Sequence, residues 1–285
     1  MDIGKVAVIG SGTMGNGIAQ VIAASGLEVV MTDINEAATQ RGVATVGKNL
    51  DRLIAKQKMT EADKAAILGR IKTATALEAI AGCGLVIEAA TENVDLKLKI
   101  FADLDRLADA GAILASNTSS ISLTQIAAAT KRPPQVIGMH FFNPVPVMQL
   151  VEVIRALQTS DDTYAAVKAL AIKVGKTPVE VRNSPGFVGN RILLPMLNEA
   201  VFALYENLAT AEDIDTVMKL GMAHPMGPLA LADLIGLDTC LSILEVLYDG
   251  FRDPKYRPCP LWREMVDAGR LGRKSGRGFF DYSKK

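Results

Sequence analysis

Lys5-Val-Ala-Val-Ile-Gly-Ser-Gly-Thr-Met-Gly15 is a short apolar, β-branched run that leads directly into three glycines with G-x-G-x-x-G spacing. Residues 16–26 follow with the apolar spacing of a helix. Strand, glycine turn and helix in this order are typical of a unit that binds a dinucleotide. We expect Gly10 to allow the tight turn, Gly12 to admit a pyrophosphate, and Gly15 to let the helix pack closely. The first helical N–H groups would face the phosphates, and the same turn contains Ser11, Thr13 and Met14.

An acidic residue stands where such a unit needs one. A second apolar run, residues 28–32, is followed by Asp33, 18 residues after Gly15. A carboxylate at this distance accepts hydrogen bonds from the adenosine ribose and repels a 2′-phosphate, so the sequence favours NAD over NADP. The alternative is a doubly wound domain in which the glycines serve packing alone.

The composition excludes several classes of protein. The 285 residues include 31 basic and 31 acidic side chains, so no net positive charge is available to hold nucleic acid or an anionic membrane. No apolar stretch reaches the roughly 18 residues of a membrane span, and the N-terminus lacks the basic region of a secretory signal. The three cysteines are scattered and form no zinc or redox motif. We therefore expect a cytoplasmic protein without a bound metal.

Strand and helix patterns alternate through residue 182, and helix patterns alone follow. This order predicts a Rossmann-type doubly wound α/β sheet followed by a smaller all-α C-terminal domain. The turn-rich junction Asn183-Ser-Pro-Gly186 sets the boundary. The predicted domains are therefore residues 1–184, which bind NAD, and residues 185–285, which serve substrate binding and dimerisation.

Residues 229–248 are predicted to form one helix that is apolar on nearly every side. A helix of this kind must be buried, and the second domain, from residue 185 to residue 285, offers little interior for it. We therefore predict that this helix lies in the subunit interface of a two-fold homodimer.

Polar side chains follow the predicted strands in the first domain. The carboxyl ends of parallel strands form the ligand crevice of such a sheet, and Glu92 and Lys97 lie just beyond one of them. The turn that contains Asn117 and Ser119 follows the next strand. These side chains either contact the cofactor or substrate, or cap the helices that follow.

His140 and Glu152 are the candidate proton-transfer residues. His140 ends the apolar run that begins at Val136, and Glu152 stands among apolar neighbours on the next predicted strand. A buried carboxylate is costly unless it is paired. Pairing with His140 would fix the imidazole tautomer and stabilise the imidazolium. The alternative places Glu152 on the solvent-facing side of an edge strand.

Several other polar positions have both a structural and a functional interpretation. Lys48, Arg52 and Lys56 share one helical face, which is either solvated or binds a polyphosphate of the substrate. Asn190 lies one turn into the first helix of the second domain, either on the surface or facing the cleft. Lys274 belongs to a basic, glycine-rich loop that is either a surface turn or a cofactor contact. We expect His224, in a turn framed by prolines, to be structural.

Together these features resemble the 3-hydroxyacyl-CoA dehydrogenase family, and most closely its bacterial 3-hydroxybutyryl-CoA dehydrogenases. The resemblance covers essentially the whole chain and depends on seven motifs in order. They are Gly10-Ser-Gly-Thr-Met-Gly15, Glu88-Ala-Ala-Thr-Glu-Asn93, Ser116-Asn-Thr-Ser-Ser120, Gly138-Met-His-Phe-Phe-Asn-Pro-Val-Pro146, Leu150-Val-Glu-Val153, Ser184-Pro-Gly-Phe-Val-Gly-Asn-Arg191 and Gly272-Arg-Lys-Ser-Gly-Arg-Gly-Phe279.

The resemblance implies a reaction in fatty-acid or butanoate metabolism. It implies that His140 is the general acid/base, Glu152 its partner, and acetoacetyl-CoA or 3-hydroxybutyryl-CoA the substrate. Ser119 and Asn190 match the substrate-oxygen contacts of the family. Lys56 matches a CoA contact, and Asn49 stands at a second CoA position that is serine in some relatives. The matching NAD-binding positions are Asp33, Glu92, Lys97, Asn117, Ser119, Asn143 and Lys274.

Two other functions fit parts of the sequence. One is a different β-hydroxyacid dehydrogenase, although those enzymes use a lysine of the second domain as the acid/base. The other is a catalytically silent NAD-binding structural protein, against which the set of His140, Glu152, Ser119 and Asn190 argues.

Overall fold

The computed structural model describes residues 3–283. Two compact units divide the chain, Met1–Ser184 and Pro185–Lys285. Among the described residues, none of the helices combines the length and apolar character that crossing a membrane requires.

The first unit is built on one eight-stranded sheet. Its strand order is β3-β2-β1-β4-β5-β6-β7-β8, and only β6 and β7 pair antiparallel. Outward crossing in both directions from β1 is the doubly wound arrangement, so the predicted Rossmann-type sheet is confirmed. The strands are β1 Lys5–Ile9, β2 Glu28–Thr32, β3 Ile71–Ala74, β4 Leu85–Glu88, β5 Ile113–Ser116, β6 Val136–Phe141, β7 Leu150–Arg155 and β8 Thr177–Arg182.

Six α-helices accompany this sheet within the described residues. Several begin at a polar residue whose side chain accepts a backbone N–H, which is what sets the start of the helix. The helices are α1 Thr13–Ala24, α2 Glu36–Ala55, α3 Glu61–Gly69, α4 Val94–Leu107, α5 Leu123–Ala128 and α6 Asp161–Lys173, with short 3-10 segments at Leu77–Ile80 and Pro133–Gln135.

The central strands are buried on both faces. Every residue of β4, β5 and β6 is buried, whereas β8, at the edge of the sheet, is mostly accessible. Near-continuous apolar runs are what a covered parallel sheet requires. Polar residues within these runs are therefore exceptions, and they mark the site described below.

The described part of the second unit is helical, as predicted. Its five α-helices and two 3-10 segments enclose a core that includes Leu197, Leu244 and Trp262. The α-helices are α7 Gly189–Tyr205, α8 Ala211–Gly221, α9 Pro228–Ile235, α10 Leu237–Phe251 and α11 Pro260–Asp267, and the 3-10 segments are Pro254–Tyr256 and Arg273–Ser275.

The prediction of one helix over residues 229–248 is wrong. Gly236 interrupts it with a φ of +106°, which L residues rarely adopt, and separates α9 from α10. Leu237, Leu244 and Leu247 of α10 are fully buried within the second unit itself, whereas Leu234 and Tyr248 are exposed. The unit thus has enough interior for most of this segment, so the argument for a dimer from its burial fails. The dimer itself stays a prediction.

Candidate active site

The three glycines of the turn after β1 differ in what surrounds them. Gly10 has a φ of +96°, and a Cβ atom on Gly15 would lie 1.8 Å from the Gly10 carbonyl oxygen. A Cβ atom on Gly12 would meet no heavy atom within 4 Å. The turn therefore needs glycine at Gly10 and Gly15 for its own geometry, and Gly12 leaves open space before α1. This arrangement fits the close approach of a pyrophosphate to the helix N-terminus.

Asp33 follows β2 and reaches the same turn. Its Oδ2 accepts hydrogen bonds from the Ser11 backbone N–H at 2.7 Å and from the Ser11 hydroxyl at 2.6 Å, and its Oδ1 accepts from the Ile34 N–H at 2.8 Å. Partial burial acts to raise the pKa of this carboxyl, but these hydrogen bonds outweigh burial and hold the pKa below its usual value. Asp33 is therefore a carboxylate at neutral pH, as a ribose acceptor must be.

A cavity of about 560 Å³ extends from the glycine turn along α2. Its lining includes Thr13, Asp33, Arg41, Asn49 and Asn143. The Asn49 amide donates to the Gln20 side chain at 3.2 Å. Lys56 is exposed immediately beyond the C-terminus of α2. A long polar ligand thus has a groove with polar and basic residues on its α2 side.

A smaller cavity of about 240 Å³ lies at the ends of β4 and β5. It is lined by Met14, Glu92, Lys97, Asn117 and others. The Glu92 carboxylate accepts from the Thr118 hydroxyl at 2.6 Å and from the Ser119 N–H at 3.0 Å, which joins the two turns that follow these strands.

Asn117 links the turn after β5 to the end of β6. It is buried, and its Oδ1 accepts from the Phe141 N–H at 3.0 Å. Phe141 directly follows His140, so Asn117 fixes the backbone beside the candidate acid/base.

Lys97 is more deeply placed than its position at a helix start suggests. Only 1% of its surface is exposed, and its ammonium pairs with the fully buried Glu88 and donates to the Ser116 hydroxyl at 3.3 Å. Glu88 was not among the residues selected from the sequence. Its signal was the same as that of Glu152, an acid within an apolar strand.

His140 and Glu152 are direct cross-strand partners on β6 and β7. His140 Nδ1 lies 2.7 Å from Glu152 Oε2, so the predicted pairing is confirmed. The two residues are 7% and 2% exposed, and β7 lies between β6 and β8, so the edge-strand alternative for Glu152 is wrong. Because a carboxylate accepts hydrogen bonds, Nδ1 carries the proton and Nε2 is the basic nitrogen of the neutral ring.

The predicted site residues of the second unit are Asn190 and Lys274. Asn190 is the second residue of α7 and is half-buried. The Lys274 ammonium lies 2.6 Å from Asp238 Oδ1. The backbone N–H of His224 donates to the Met218 carbonyl at 3.1 Å and closes the turn after α8. Contacts of Asn190 and Lys274 with substrate and cofactor stay predictions.

Two family models match the chain. Residues 5–184 match the NAD binding domain of 3-hydroxyacyl-CoA dehydrogenase, and residues 186–282 match the C-terminal domain of the same family. Among the described residues, the structure brings no group of three or more His, Cys, Asp and Glu side chains together for a metal ion.

Similar proteins extend over the whole chain. A probable 3-hydroxybutyryl-CoA dehydrogenase of Bacillus subtilis is 56% identical, covering 100% of this chain and 99% of the relative. The 3-hydroxybutyryl-CoA dehydrogenase of Bradyrhizobium diazoefficiens is 53% identical over 98% of this chain and 96% of its own. The crystal structure of (S)-3-hydroxybutyryl-CoA dehydrogenase from Ralstonia eutropha is 62% identical, with a TM-score of 0.97 over 99% of this chain and 100% of that one. The chain belongs to the 3-hydroxyacyl-CoA dehydrogenase family.

Proposed function

We propose that the protein is an NAD-dependent dehydrogenase that interconverts (S)-3-hydroxybutyryl-CoA and acetoacetyl-CoA. The observation that carries the proposal is the buried pair of His140 and Glu152 on β6 and β7. β6 pairs with β5, one of the two strands whose ends line the smaller cavity. The similarity to full-length 3-hydroxybutyryl-CoA dehydrogenases supports the substrate.

His140 is the general acid/base in this proposal. In oxidation, Nε2 takes the proton of the 3-hydroxyl group, and Glu152 stabilises the imidazolium that forms and holds the ring in place. In reduction, the same nitrogen returns the proton to the 3-oxo group. NAD, when bound, would supply the hydride chemistry, its oxidised form taking the hydride from C3 in oxidation and its reduced form giving it back in reduction. Positioned acid–base help of this kind contributes roughly 10²–10⁴-fold.

The remaining site residues have binding roles. Ser119 and Asn190 bind the reacting oxygen of the substrate. Asp33 binds the adenosine ribose, and Glu92, Asn143 and Lys274 contact the dinucleotide. Lys56 and Asn49 bind CoA: Asn49 lines the cavity along α2, and Lys56 lies just beyond the end of that helix. The neutral carboxamide of Asn49 makes its contribution the weaker of the two.

One assay tests the reaction. NADH oxidation is measured with acetoacetyl-CoA and, in parallel, with free acetoacetate at the same concentration. We expect turnover with the thioester and little with the free acid, because the groove residues then contribute binding energy. Turnover with the free acid alone would support another β-hydroxyacid dehydrogenase, and NADH binding without turnover would indicate a structural protein.

We also propose a homodimer formed through the second unit, in the cytoplasm. Large apolar side chains are exposed on this unit, including Ile192, Leu208 and Leu220 at 68%, 79% and 83%. Contiguous apolar patches mark interaction sites, and the proposal requires these side chains to belong to one such patch. Sedimentation should give a dimer, and Leu220→Asp should shift it toward monomer, whereas Ile172→Asp, at an exposed apolar residue of the first unit, should not. The three free thiols are typical of a reducing compartment.

A further inference from the structure

Glu88 is a buried carboxylate to which the reaction described above assigns no role. It ends β4, and none of its surface is exposed. Its Oε2 forms an ion pair with the Lys97 ammonium and accepts a hydrogen bond from the Ser116 hydroxyl at 3.0 Å. Its Oε1 accepts from the backbone N–H groups of Ala90 at 2.9 Å and Thr91 at 3.3 Å. One carboxylate thus joins two strand ends, a turn and a helix.

Those contacts continue into the residues that line the smaller cavity. The Ser116 hydroxyl accepts from the Thr118 N–H at 3.2 Å, so the turn after β5 also depends on Glu88. The turn after β4 contains Glu92, which binds the Thr118 hydroxyl and the Ser119 N–H. Both turns are therefore held by two carboxylates, the buried Glu88 and the cavity-lining Glu92.

The sheet order shows which half of the dinucleotide this cavity serves. Asp33 follows β2 on one side of β1, whereas β4, β5 and β6 lie on the other side. A dinucleotide that places its adenosine ribose at Asp33 and crosses the glycine turn extends toward the ends of β4 and β5. The nicotinamide half must also lie within reach of His140, which is on β6.

We propose that Glu88 is a positioning residue for the nicotinamide half of NAD. It acts through Lys97 and through the turns that contain Glu92 and Ser119, and it does not touch the cofactor. The inference depends on the NAD binding of the family and on the acid/base role of His140 proposed above. Replacing a buried ion pair by apolar residues is often neutral for stability, so stability alone gives little reason for the charge.

Glu88→Gln tests this proposal by binding rather than activity. NADH and ADP-ribose, which lacks the nicotinamide, are titrated calorimetrically without substrate. We expect the dissociation constant of NADH to rise on the order of tenfold, as for loss of hydrogen bonds to a charged group. The dissociation constant of ADP-ribose should rise less, because the hydrogen bonds that hold Asp33 come from Ser11 and Ile34 and do not involve Glu88. Equal weakening of both ligands, or of neither, would overturn the proposal.

A second variant guards against failure to fold. Glu88→Leu with Lys97→Met removes both charges, so the unpaired buried cation that threatens the single variant is absent. We expect this chain to fold, as followed by thermal unfolding, and still to lose NADH affinity relative to ADP-ribose. An unchanged ratio of the two affinities in this folded variant would also contradict the proposal.

A matched control uses another largely buried ion pair of the first unit. Asp105 lies 2.7 Å from the Arg132 guanidinium, in the last turn of α4, whereas the cavity residue Lys97 lies in the first turn of that helix. Asp105→Asn should lower the melting temperature and leave the ratio of NADH to ADP-ribose affinity unchanged. If acetoacetyl-CoA is not turned over by the parent enzyme, the proposed function fails, whereas the affinity ratio still decides the role of Glu88.

Discussion

The two units of the chain satisfy their buried carboxylates in different ways. In the first unit, Glu88 pairs with the Lys97 ammonium and Glu152 with the His140 imidazole. In the second unit, Asp233 accepts from the backbone N–H groups of Phe279 and Phe280 at 2.9 and 3.0 Å and from the Tyr282 hydroxyl at 3.0 Å. Glu88 also accepts from two backbone N–H groups, so the difference is the basic partner, which the two strand carboxylates have and which the hydrogen bonds of Asp233 do not supply.

The difference distinguishes carboxylates that act in catalysis or cofactor binding from a carboxylate that holds a turn of the chain in place. An imidazole beside a carboxylate can gain and lose a proton while the pair stays buried. Backbone N–H groups cannot exchange charge in this way, but they fix the path of the chain through fully satisfied buried groups. We therefore expect substitutions in the first set to change catalysis or cofactor binding, and those in the second to change the stability of the unit.

His140→Gln should have the largest effect. Glutamine cannot take the substrate proton, so turnover of acetoacetyl-CoA should fall roughly 10²–10⁴-fold. The dissociation constant of NADH should barely change, because the side chain acts on the substrate. Steady-state kinetics and an NADH titration check both parts. Near-full turnover would remove His140 from the mechanism.

Glu152→Gln should have a smaller effect on the same step. Glutamine keeps the size of the side chain but cannot stabilise the imidazolium, so turnover should fall on the order of tenfold to a hundredfold, part of the contribution of the base. The pH dependence of turnover should also change. A pH–rate profile identical in shape to that of the parent would exclude Glu152 from proton transfer and leave it a purely structural partner.

Asp233→Asn should act on stability. The NH2 group of the new side chain would face N–H groups from which the carboxylate accepts hydrogen bonds. The buried donors left unpaired should lower the free energy of unfolding by about 1–3 kcal/mol. Chemical denaturation should show this loss. Tyr282→Phe removes one donor and leaves the carboxylate paired with Phe279 and Phe280, so it should cost less. Equal losses in both variants would show that the backbone contacts contribute nothing.

The pH dependence of this stability has a definite sign. Burial raises the pKa of Asp233 above its usual 3.8, against the opposing effect of its hydrogen bonds. In the folded state the proton is thus bound more tightly than in the unfolded state, and this residue contributes less stability as the pH rises past 3.8. Asparagine does not titrate, so the stability gap between parent and Asp233→Asn should narrow with increasing pH.

The sequence predicted most of the first unit because its signals are local. The glycine spacing, Asp33 and the apolar strand runs each report their own surroundings, and the His140–Glu152 pair followed from one acid in an apolar strand. The same rule applied to Glu88 would have identified a second pair. The break between α9 and α10 at Gly236 could not be predicted, because a single glycine within an apolar helical pattern is usually tolerated.

Other features depend on packing that no local pattern reports. Leu237, Leu244 and Leu247 of α10 proved to be buried within the second unit, which depends on how its five helices meet. The depth of Lys97 depends on Glu88 and Ser116, which are 9 and 19 residues away in the sequence. In both cases the local pattern identified the residues, but the tertiary structure determines which other residues they contact.

Lys56→Ala should have the smallest effect, because it changes an exposed residue rather than a buried charged pair. Lys56 is exposed, and a surface charge that binds a phosphate of CoA is screened by water and salt. We expect the KM for acetoacetyl-CoA to rise a few-fold, about 1 kcal/mol or less, with kcat unchanged. The effect should shrink as salt is added. Lys58→Ala, an equally exposed neighbour, is the control, and the same increase in both variants would show a general surface charge effect rather than a contact of Lys56.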